Sequence, residues 1–247
     1  MSKKTNYSYV GVAFIILVFG IIFVPKIVDR VKNDDITRDD ESRSKIVQNN
    51  VKSDLAYIIQ NEEKRRVPAF SFTNHNGETI TDKDYLGKVY VVEFFFTTCP
   101  TICPRMNRNL VEIQNEFENY KNFGVASFTI NPETDTTEVL KAYAETYGIL
   151  NPNWHLMTGD REIIYELAKT GFYLAVEENA EVEGGFEHSG NFALIDKEGY
   201  IRSRFDENGN PLIYYNGIIS EEEGIDNDGI KQQISILKED IEKLLSE

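Results

Sequence analysis

Cysteine is scarce in this chain, which has only two cysteines among 247 residues. Two cysteines exclude a disulfide-rich scaffold and a four-thiolate zinc site. They are enough for one disulfide, one redox pair, or two ligands of a single metal ion. The other soft or borderline metal donors are three histidines and three methionines. A site for a soft metal in this chain would therefore combine the two sulfurs with one of these few side chains.

Basic side chains are also few, with 26 Lys and Arg against 41 Asp and Glu and a formal net charge of −15. The imbalance lies in residues 67–247, which carry 14 basic and 32 acidic side chains. Such an acidic surface repels phosphate backbones, so the sequence predicts no nucleic-acid ligand. A hydrophobic content of 41% and an aromatic content of 12% are typical of a folded chain.

One long stretch lacks charge altogether, from Thr5 to Pro25. After a short tail over residues 1–8, residues 9–25 are predicted to form a transmembrane helix. A cleaved signal peptide is the alternative, but Pro25-Lys26-Ile27-Val28 offers no small-x-small cleavage site. The flanking lysines and arginines do not decide the orientation. An anchor so close to the amino terminus favours a domain outside the cytoplasm.

The composition divides the rest of the chain in two. Residues 26–66 are polar and carry both charge signs, and a weak helical spacing of Ile and Val predicts a partly helical tether. The compact domain is predicted to begin at Val67-Pro68 and to extend over residues 67–247. Residues 206–229 are rich in glycine and acidic residues, which indicates an extra hairpin and an acidic loop.

Strand and helix patterns alternate within the domain. An amino-terminal β-hairpin is predicted from Ala69–Thr73 and Glu78–Thr81, and Val89–Phe96 reads as a strand buried on both faces. Further elements are predicted as helices over 103–120, 136–147 and 160–169, strands over 124–130 and 191–195, and a final amphipathic helix within 228–245. This order predicts an α/β fold with a central sheet flanked by helices.

The two cysteines lie in Cys99-Pro-Thr-Ile-Cys103-Pro104, between the buried strand and the next helix. Unpaired backbone N–H groups and the helix dipole favour thiolate at such a place, and proline suits a first helical turn. A spacing of four residues can bring both sulfurs to one side of the turn. The pair could therefore close a disulfide or bind one soft metal ion.

His188 is the best candidate for a third ligand. It lies in Gly184-Gly-Phe-Glu-His188-Ser-Gly-Asn191, just before the strand over 191–195. Strand ends in an open α/β sheet gather at the ligand-binding edge or at the opposite edge. His75 falls in the hairpin turn and His155 in a predicted loop, so both read as structural or exposed. Met106, one turn after Cys103, reads as a core residue.

Five blocks of the sequence together resemble the SCO/SenC family in order and spacing. They are Val67-Pro-Ala-Phe-Ser-Phe, Gly87-Lys88, Thr98-Cys-Pro-Thr-Ile-Cys-Pro104, Asn131-Pro-Glu-Thr-Asp-Thr136 and His188-Ser-Gly-Asn-Phe-Ala-Leu-Ile-Asp-Lys-Glu-Gly199. The resemblance covers about residues 67–200. It implies a thioredoxin-like fold, with Cys99, Cys103 and His188 as copper ligands.

The resemblance also implies a function and a location. The function is delivery of copper to the CuA centre of cytochrome c oxidase, which makes the CuA subunit the partner. The location is the bacterial periplasm or the mitochondrial intermembrane space. The donor set agrees with copper, because thiolates suit Cu(I) and imidazole accommodates Cu(I) or Cu(II). A three-ligand shell also leaves a position open for an accepting protein.

A thiol-disulfide oxidoreductase that uses Cys99 and Cys103 as a redox pair is the main alternative. Glu93 interrupts the apolar central strand six residues before Cys99, which resembles the buried acid of thioredoxins. A sheet-edge position or a pairing with Lys88 would give Glu93 a structural role instead. Two differences from thioredoxins speak against this alternative. Thioredoxins have a cis proline just before the strand that follows the active site, but no proline occurs here between Pro152 and Pro211. Three residues, and not the two of thioredoxins, separate the cysteines.

Other interpretations have less support in the sequence. A peroxidase of the peroxiredoxin type would need a proline upstream of the reactive cysteine, and a non-catalytic adaptor would use the cysteines only as a staple. Asp135 matches a recurrent acidic position of the family, but its place before a predicted helix favours a helix cap. Residues 206–229 exceed the usual ending of the family.

Overall fold

The structure is a computed structural model that describes residues 17–19, 55–60, 62–174, 176–178, 186–205 and 211–247. Residues 17–19 are helical and exposed. The remainder of the predicted membrane anchor over 9–25 lies outside the described residues, as does most of the predicted tether. None of the helices in the described ranges has both the length and the apolar character needed to span a bilayer.

The domain is built on a mixed β-sheet whose strand order is β1-β12-β11-β6-β7-β8-β4-β5. The strands are β1 Ala56–Tyr57, β2 Ile59–Gln60, β3 Glu63–Lys64, β4 Ser71–Asn74, β5 Thr79–Thr81, β6 Val89–Phe95, β7 Phe123–Thr129, β8 Trp154–Thr158, β9 Val176–Glu178, β10 Phe186–His188, β11 Asn191–Ile195, β12 Ile201–Phe205, β13 Pro211–Leu212 and β14 Tyr215–Asn216. Strands β6, β7 and β8 are parallel, and β11 lies antiparallel to β6.

Helices connect or cover the parallel strands. They are α1 Cys103–Glu116, α2 Thr137–Tyr147, α3 Arg161–Glu166 and α4 Ile234–Ser246, with a 3-10 turn at Asp82–Tyr85 and a π-helical turn at Leu167–Gly171. Gly148 ends α2 in the left-handed conformation at φ 70°, which glycine adopts without strain. The α/β prediction is confirmed, and its strands and helices agree with these to within a few residues at most ends.

The two central strands are buried on both faces. Every residue of β6 and β7 is buried, because helices cover both sides of a parallel sheet. Phe94 and Phe128 stack between these strands with ring centroids 5.3 Å apart. The carboxyl ends of β6 and β7 lie at the same edge of the sheet, and the antiparallel β11 begins there. The sequence stretches around Cys99 and His188 therefore meet at this edge.

Part of the predicted tether lies on the domain. Residues Ala56–Tyr57 extend the sheet by pairing with β12, and Leu55 and Ile58 are buried in the core. The weak helical spacing in this stretch does not produce a helix within residues 55–60. Burial of apolar side chains against a sheet edge outweighs a weak helical periodicity.

The carboxy-terminal residues return to the sheet before the last helix. Strand β13 pairs with β12, and β14 pairs with β11 opposite Asn191 and Phe192. Helix α4 then buries Ile234, Leu237, Ile241 and Leu244. Residues 206–210, within the predicted extra loop, lie outside the described part of the chain.

Candidate metal centre

The cysteines lie in the turn that joins β6 to α1. Strand β6 ends at Phe95, and Cys103 is the first residue of α1, followed by Pro104. Both thiols are buried, with 7% of Cys99 and none of Cys103 exposed. The backbone N–H of Cys103 donates to Sγ of Cys99 over 3.4 Å. The start of the helix therefore orients Cys99 beside Cys103, as the sequence predicts.

The expectation that the helix start favours thiolate is wrong for Cys103. Burial raises the pKa of the Cys103 thiol, and its hydrogen bond with Cys99 raises it further. Removing a thiolate from water costs more free energy than is gained from its attraction to the partial positive charge at the helix start. Burial therefore favours the protonated thiol of Cys103 in the metal-free protein.

The His188 strand packs against the cysteine turn. Phe186, two residues before His188, faces Phe96 with ring centroids 5.2 Å apart. Two residues after His188, a methyl group built on Gly190 would lie 3.7 Å from Cδ1 of Ile102, the neighbour of Cys103. The backbones that carry the three proposed ligands therefore come together at one edge of the sheet.

The structure describes the backbone of His188 but not its side chain. This backbone pairs with Val176 in the β9–β10 hairpin. Within the described ranges, no group of three or more His, Cys, Asp or Glu side chains is arranged to hold a metal ion. Coordination by Cys99, Cys103 and His188 together stays a prediction.

Asp135 supports the cysteine turn, a role that the sequence did not reveal. Its carboxylate is fully buried and accepts hydrogen bonds from the Thr97 backbone N–H at 3.1 Å and from the hydroxyls of Thr97 and Thr129. The prediction that Asp135 caps the following helix is wrong, because Thr136 occupies the N-cap and accepts from the Val139 N–H. Asp135 instead ties the end of β7 to the residue two positions before Cys99.

Asp135→Ala is expected to destabilise the domain by about 3 kcal/mol, because each buried donor left without an acceptor costs about 1–3 kcal/mol. Urea unfolding of the metal-free protein measures this change. Glu133→Ala is the matched control, since Glu133 belongs to the same turn, is largely exposed and meets Arg161 only at 3.5 Å. Equal stabilities of the two variants would show that Asp135 does not support the turn.

Glu93 is buried in the central strand and does not lie at a sheet edge or pair with Lys88. Its side chain is fully inaccessible, and the Ser127 hydroxyl donates to Oε1 over 2.6 Å. The Trp154 indole N–H in turn donates to the Ser127 hydroxyl over 2.9 Å. Burial raises the pKa of Glu93 to about 7, and the Ser127 hydrogen bond only partly offsets it. This carboxyl can therefore gain or lose a proton near neutral pH.

The remaining donors have structural positions. His155 lies on β8 and not in a loop, with Nδ1 3.2 Å from the Asn74 side-chain amide, and the Leu156 N–H donates to Nδ1 of His75. Burial lowers the pKa of both imidazoles. Met106 is fully buried, as predicted for a core residue. Neither histidine makes a contact with the cysteine turn in the described part of the chain.

Known proteins resemble this chain over most of the domain. A curated SCO1 protein homologue from Bacillus subtilis is 30% identical over 157 residues, which is 63% of this chain and 80% of the homologue. The human mitochondrial SCO1 homologue is 27% identical over 169 residues, or 64% of this chain. The match spans 55% of the length of that human relative.

Solved structures share the fold. BsSco, described as having a disulfide switch and as a member of the Sco family of cytochrome c oxidase assembly proteins, matches with a TM-score of 0.58 at 24% identity, over 74% of this chain and 94% of its own. Yeast Sco1 with copper bound matches with a TM-score of 0.51 at 22% identity, over 72% and 89%. The thioredoxin-like Sco fold expected from the resemblance is thus confirmed.

The model of the SCO1/SenC family matches residues 59–220, which include the cysteine turn, Asp135 and the His188 strand. This match covers well over half of the chain. The protein therefore belongs to the SCO1/SenC family.

Proposed function

We propose that this protein binds copper through Cys99, Cys103 and His188 and delivers it to the CuA site of cytochrome c oxidase. The packing of the His188 strand on the cysteine turn carries the proposal. Although 85 residues separate Cys103 from His188, Phe186 packs against Phe96, and Ile102 lies beside Gly190, so the two chain segments run close to each other.

The donor set suits a copper ion that is to be passed on. Two sulfurs and one imidazole accommodate Cu(I) and Cu(II). Three protein ligands leave a coordination position into which a ligand of the accepting subunit can enter. The positive ion also offsets the cost of ionising the buried Cys103. Copper is therefore bound partly through the Cys103 sulfur, which is unfavourable as a bare anion, and this favours coupling of copper release to reprotonation of Cys103.

Relatives support the nature of the cargo and of the client. Yeast Sco1 has been solved with copper bound, and BsSco is described as a cytochrome c oxidase assembly protein. The proposed client is the oxidase subunit that carries the CuA site. The acidic domain gives the protein a surface suited to a basic region of that client.

The proposed location is the outer side of a bacterial cytoplasmic membrane, with the mitochondrial intermembrane space as the alternative. The uncharged stretch from Thr5 to Pro25 supports a single membrane anchor over residues 9–25, because about 20 apolar residues suffice to cross a bilayer as a helix. Placement of the domain outside the cytoplasm would bring it to the same compartment as an exposed CuA site.

Titration of the purified, reduced full-length protein with copper tests the proposal. We expect one copper per chain, with sulfur and nitrogen ligands visible in X-ray absorption spectra. Oxidation of Cys99 and Cys103 to a disulfide should abolish uptake, because both sulfurs are then consumed. Undiminished uptake by the oxidised protein would place the metal elsewhere and contradict the proposed ligands.

Glu93 favours a second candidate function, thiol-disulfide exchange. In that reaction Cys99 and Cys103 form a disulfide while a client disulfide becomes two thiols, so two electrons and two protons pass to the client. A buried carboxyl with a pKa of about 7 could accept a thiol proton during this step. Rapid exchange with a model disulfide, together with no copper uptake, would favour this function over copper delivery.

A further inference from the structure

A carboxy-terminal segment lies across the boundary between the cysteine helix and the histidine strand. We define the strap as residues Tyr215–Glu223. It begins with β14, which pairs with β11 opposite Phe192 and Asn191. The SCO1/SenC match ends at residue 220, within the strap. The strap therefore continues the sheet at the place where the metal centre is proposed.

Two hydrogen bonds pass through one residue of the strap and connect the two halves of the site. The buried Asn109 of α1 donates from Nδ2 to the carbonyl oxygen of Gly217 over 2.8 Å. The backbone N–H of Gly217 donates to the carbonyl oxygen of Gly190 over 2.8 Å. Helix α1, which begins at Cys103, is thereby linked through Gly217 to a residue two positions after His188.

Close packing leaves little freedom at this junction. A methyl group built on Gly217 would lie 2.5 Å from the ring of Phe192, so the strap approaches β11 more closely than a residue with a Cβ allows. Cδ1 of Ile218 lies so close to Gly190 that no methyl group could be placed there. The side chain of Ile218 therefore fills the space beside Gly190, where Ile102 also approaches.

Ion pairs fasten the far end of the strap to the same helix. Glu223 pairs with Arg105, two residues after Cys103. Glu221 pairs with Lys238 of α4, and Lys238 also meets Glu116 at the end of α1 over 2.9 Å. The strap is thus held along the length of α1. Because Lys238 is partly buried, its ion pairs stabilise this attachment more than exposed ion pairs would.

We propose that the strap sets the position of the His188 strand relative to the two cysteines, and that Asn109 is a positioning residue of the metal centre. This inference rests on the proposed copper function. His188 occupies a hairpin at the sheet edge, and its neighbour Gly190 is held by the strap. A ligand carried on such an element binds metal well only when the supporting residues restrict its position.

Asn109→Ala tests the inference. We expect Cu(II) affinity to fall by about 10- to 100-fold, as for other residues that orient metal ligands. The nitrogen hyperfine coupling in the electron paramagnetic resonance spectrum should weaken or disappear, while sulfur-to-copper charge transfer remains. Asn115→Ala is the matched control, because Asn115 is an exposed asparagine of the same helix, and it should leave affinity and spectrum unchanged.

Hydrogen exchange of the metal-free protein provides a readout that does not depend on copper. Amides of residues 186–192 should exchange faster in Asn109→Ala than in the parent or in Asn115→Ala. If Asn109→Ala fails to fold, Ile218→Ala takes its place, because Ile218 is only half-buried and its shortening removes the contact beside Gly190.

The outcomes separate the two proposals. A parent that binds copper with a nitrogen ligand, together with strap variants that match Asn115→Ala in affinity, spectrum and exchange, would overturn the positioning role and leave the copper function standing. A parent that binds no copper would overturn the copper function. Faster exchange over residues 186–192 would then still support the strap as a restraint on the His188 strand.

Discussion

Cys99→Ser or Cys103→Ser should weaken copper binding by about 100-fold or more, exceeding the 10- to 100-fold loss typical of residues that only orient ligands. A hydroxyl is a poor ligand for Cu(I), and a three-ligand site that loses one sulfur retains only two donors. Competition with a chromophoric Cu(I) chelator measures the change. Thr101→Ala is the control, because its hydroxyl lies in the same turn, 3.8 Å from Sγ of Cys99, without being a proposed ligand.

His188→Ala should reduce copper affinity, as each cysteine variant should. It should also remove the nitrogen contribution from the X-ray absorption spectrum. His75→Ala is the matched histidine control, since His75 is held by the Leu156 N–H and lies outside the cysteine turn. Parent-like copper binding by His188→Ala would contradict the ligand assignment. Parent-like binding by either cysteine variant would contradict the metal centre itself.

Glu93→Gln should make the domain more stable than the parent at pH 8, by up to about 3 kcal/mol. Burial raises the pKa of Glu93 from 4.5 to about 7 in the folded protein. The folded state therefore holds more protons than the unfolded state between about pH 4.5 and 7. The parent loses stability as the pH rises from 4.5 through 7, and the glutamine variant lacks this loss because its side chain stays neutral.

Urea unfolding between pH 4.5 and 9 measures the effect of Glu93→Gln. The advantage of the variant should shrink toward the acid end of this range, where Glu93 is neutral in the folded state. Glutamine keeps an oxygen that can accept from Ser127, so the hydrogen-bond chain to Trp154 is preserved. Glu112→Gln, on the exposed face of α1, should follow the pH dependence of the parent. Parallel curves for all three proteins would contradict a buried, titrating Glu93.

Glu93→Gln also bears on the second candidate function. If the Glu93 carboxylate accepts a thiol proton during disulfide exchange, the variant should exchange more slowly above pH 7 while its copper stoichiometry stays at one per chain. Unchanged exchange rates would limit Glu93 to its structural hydrogen bond with Ser127. The stability and exchange measurements thus separate the energetic consequence of the buried acid from its chemical use.

Sequence patterns alone were sufficient for the alternation of strands and helices. The all-apolar strand at residues 89–95, the proline after Cys103 and the turn residues 74–77 are local signals, and each acts over a few neighbours. The same local signals placed the cysteines at a helix start. The place of His188 before a strand made it the candidate third ligand, and the family resemblance added the expectation that Cys99, Cys103 and His188 together bind copper.

Predictions from local sequence signals were wrong for residues whose roles depend on distant partners. Asp135 precedes a helix and so reads as a cap, but its partners Thr97 and Thr129 lie at the ends of two parallel strands. His155 was expected in a loop, but the pairing of β8 with β7 and β4 makes it a strand residue. The ionisation of Cys103 was misjudged because a helix terminus is visible in a sequence, whereas the depth of burial is not.

The amino-acid sequence by itself determined the fold class, the cysteine pair and the acidic surface, because these follow from composition and from spacing along the chain. Tertiary structure alone decided how residues separated by tens of positions meet: Glu93 with Ser127, Asp135 with Thr97, and Asn109 with Gly217. The physical reason is that hydrogen bonding and burial depend on strand order and register, which many distant residues set together.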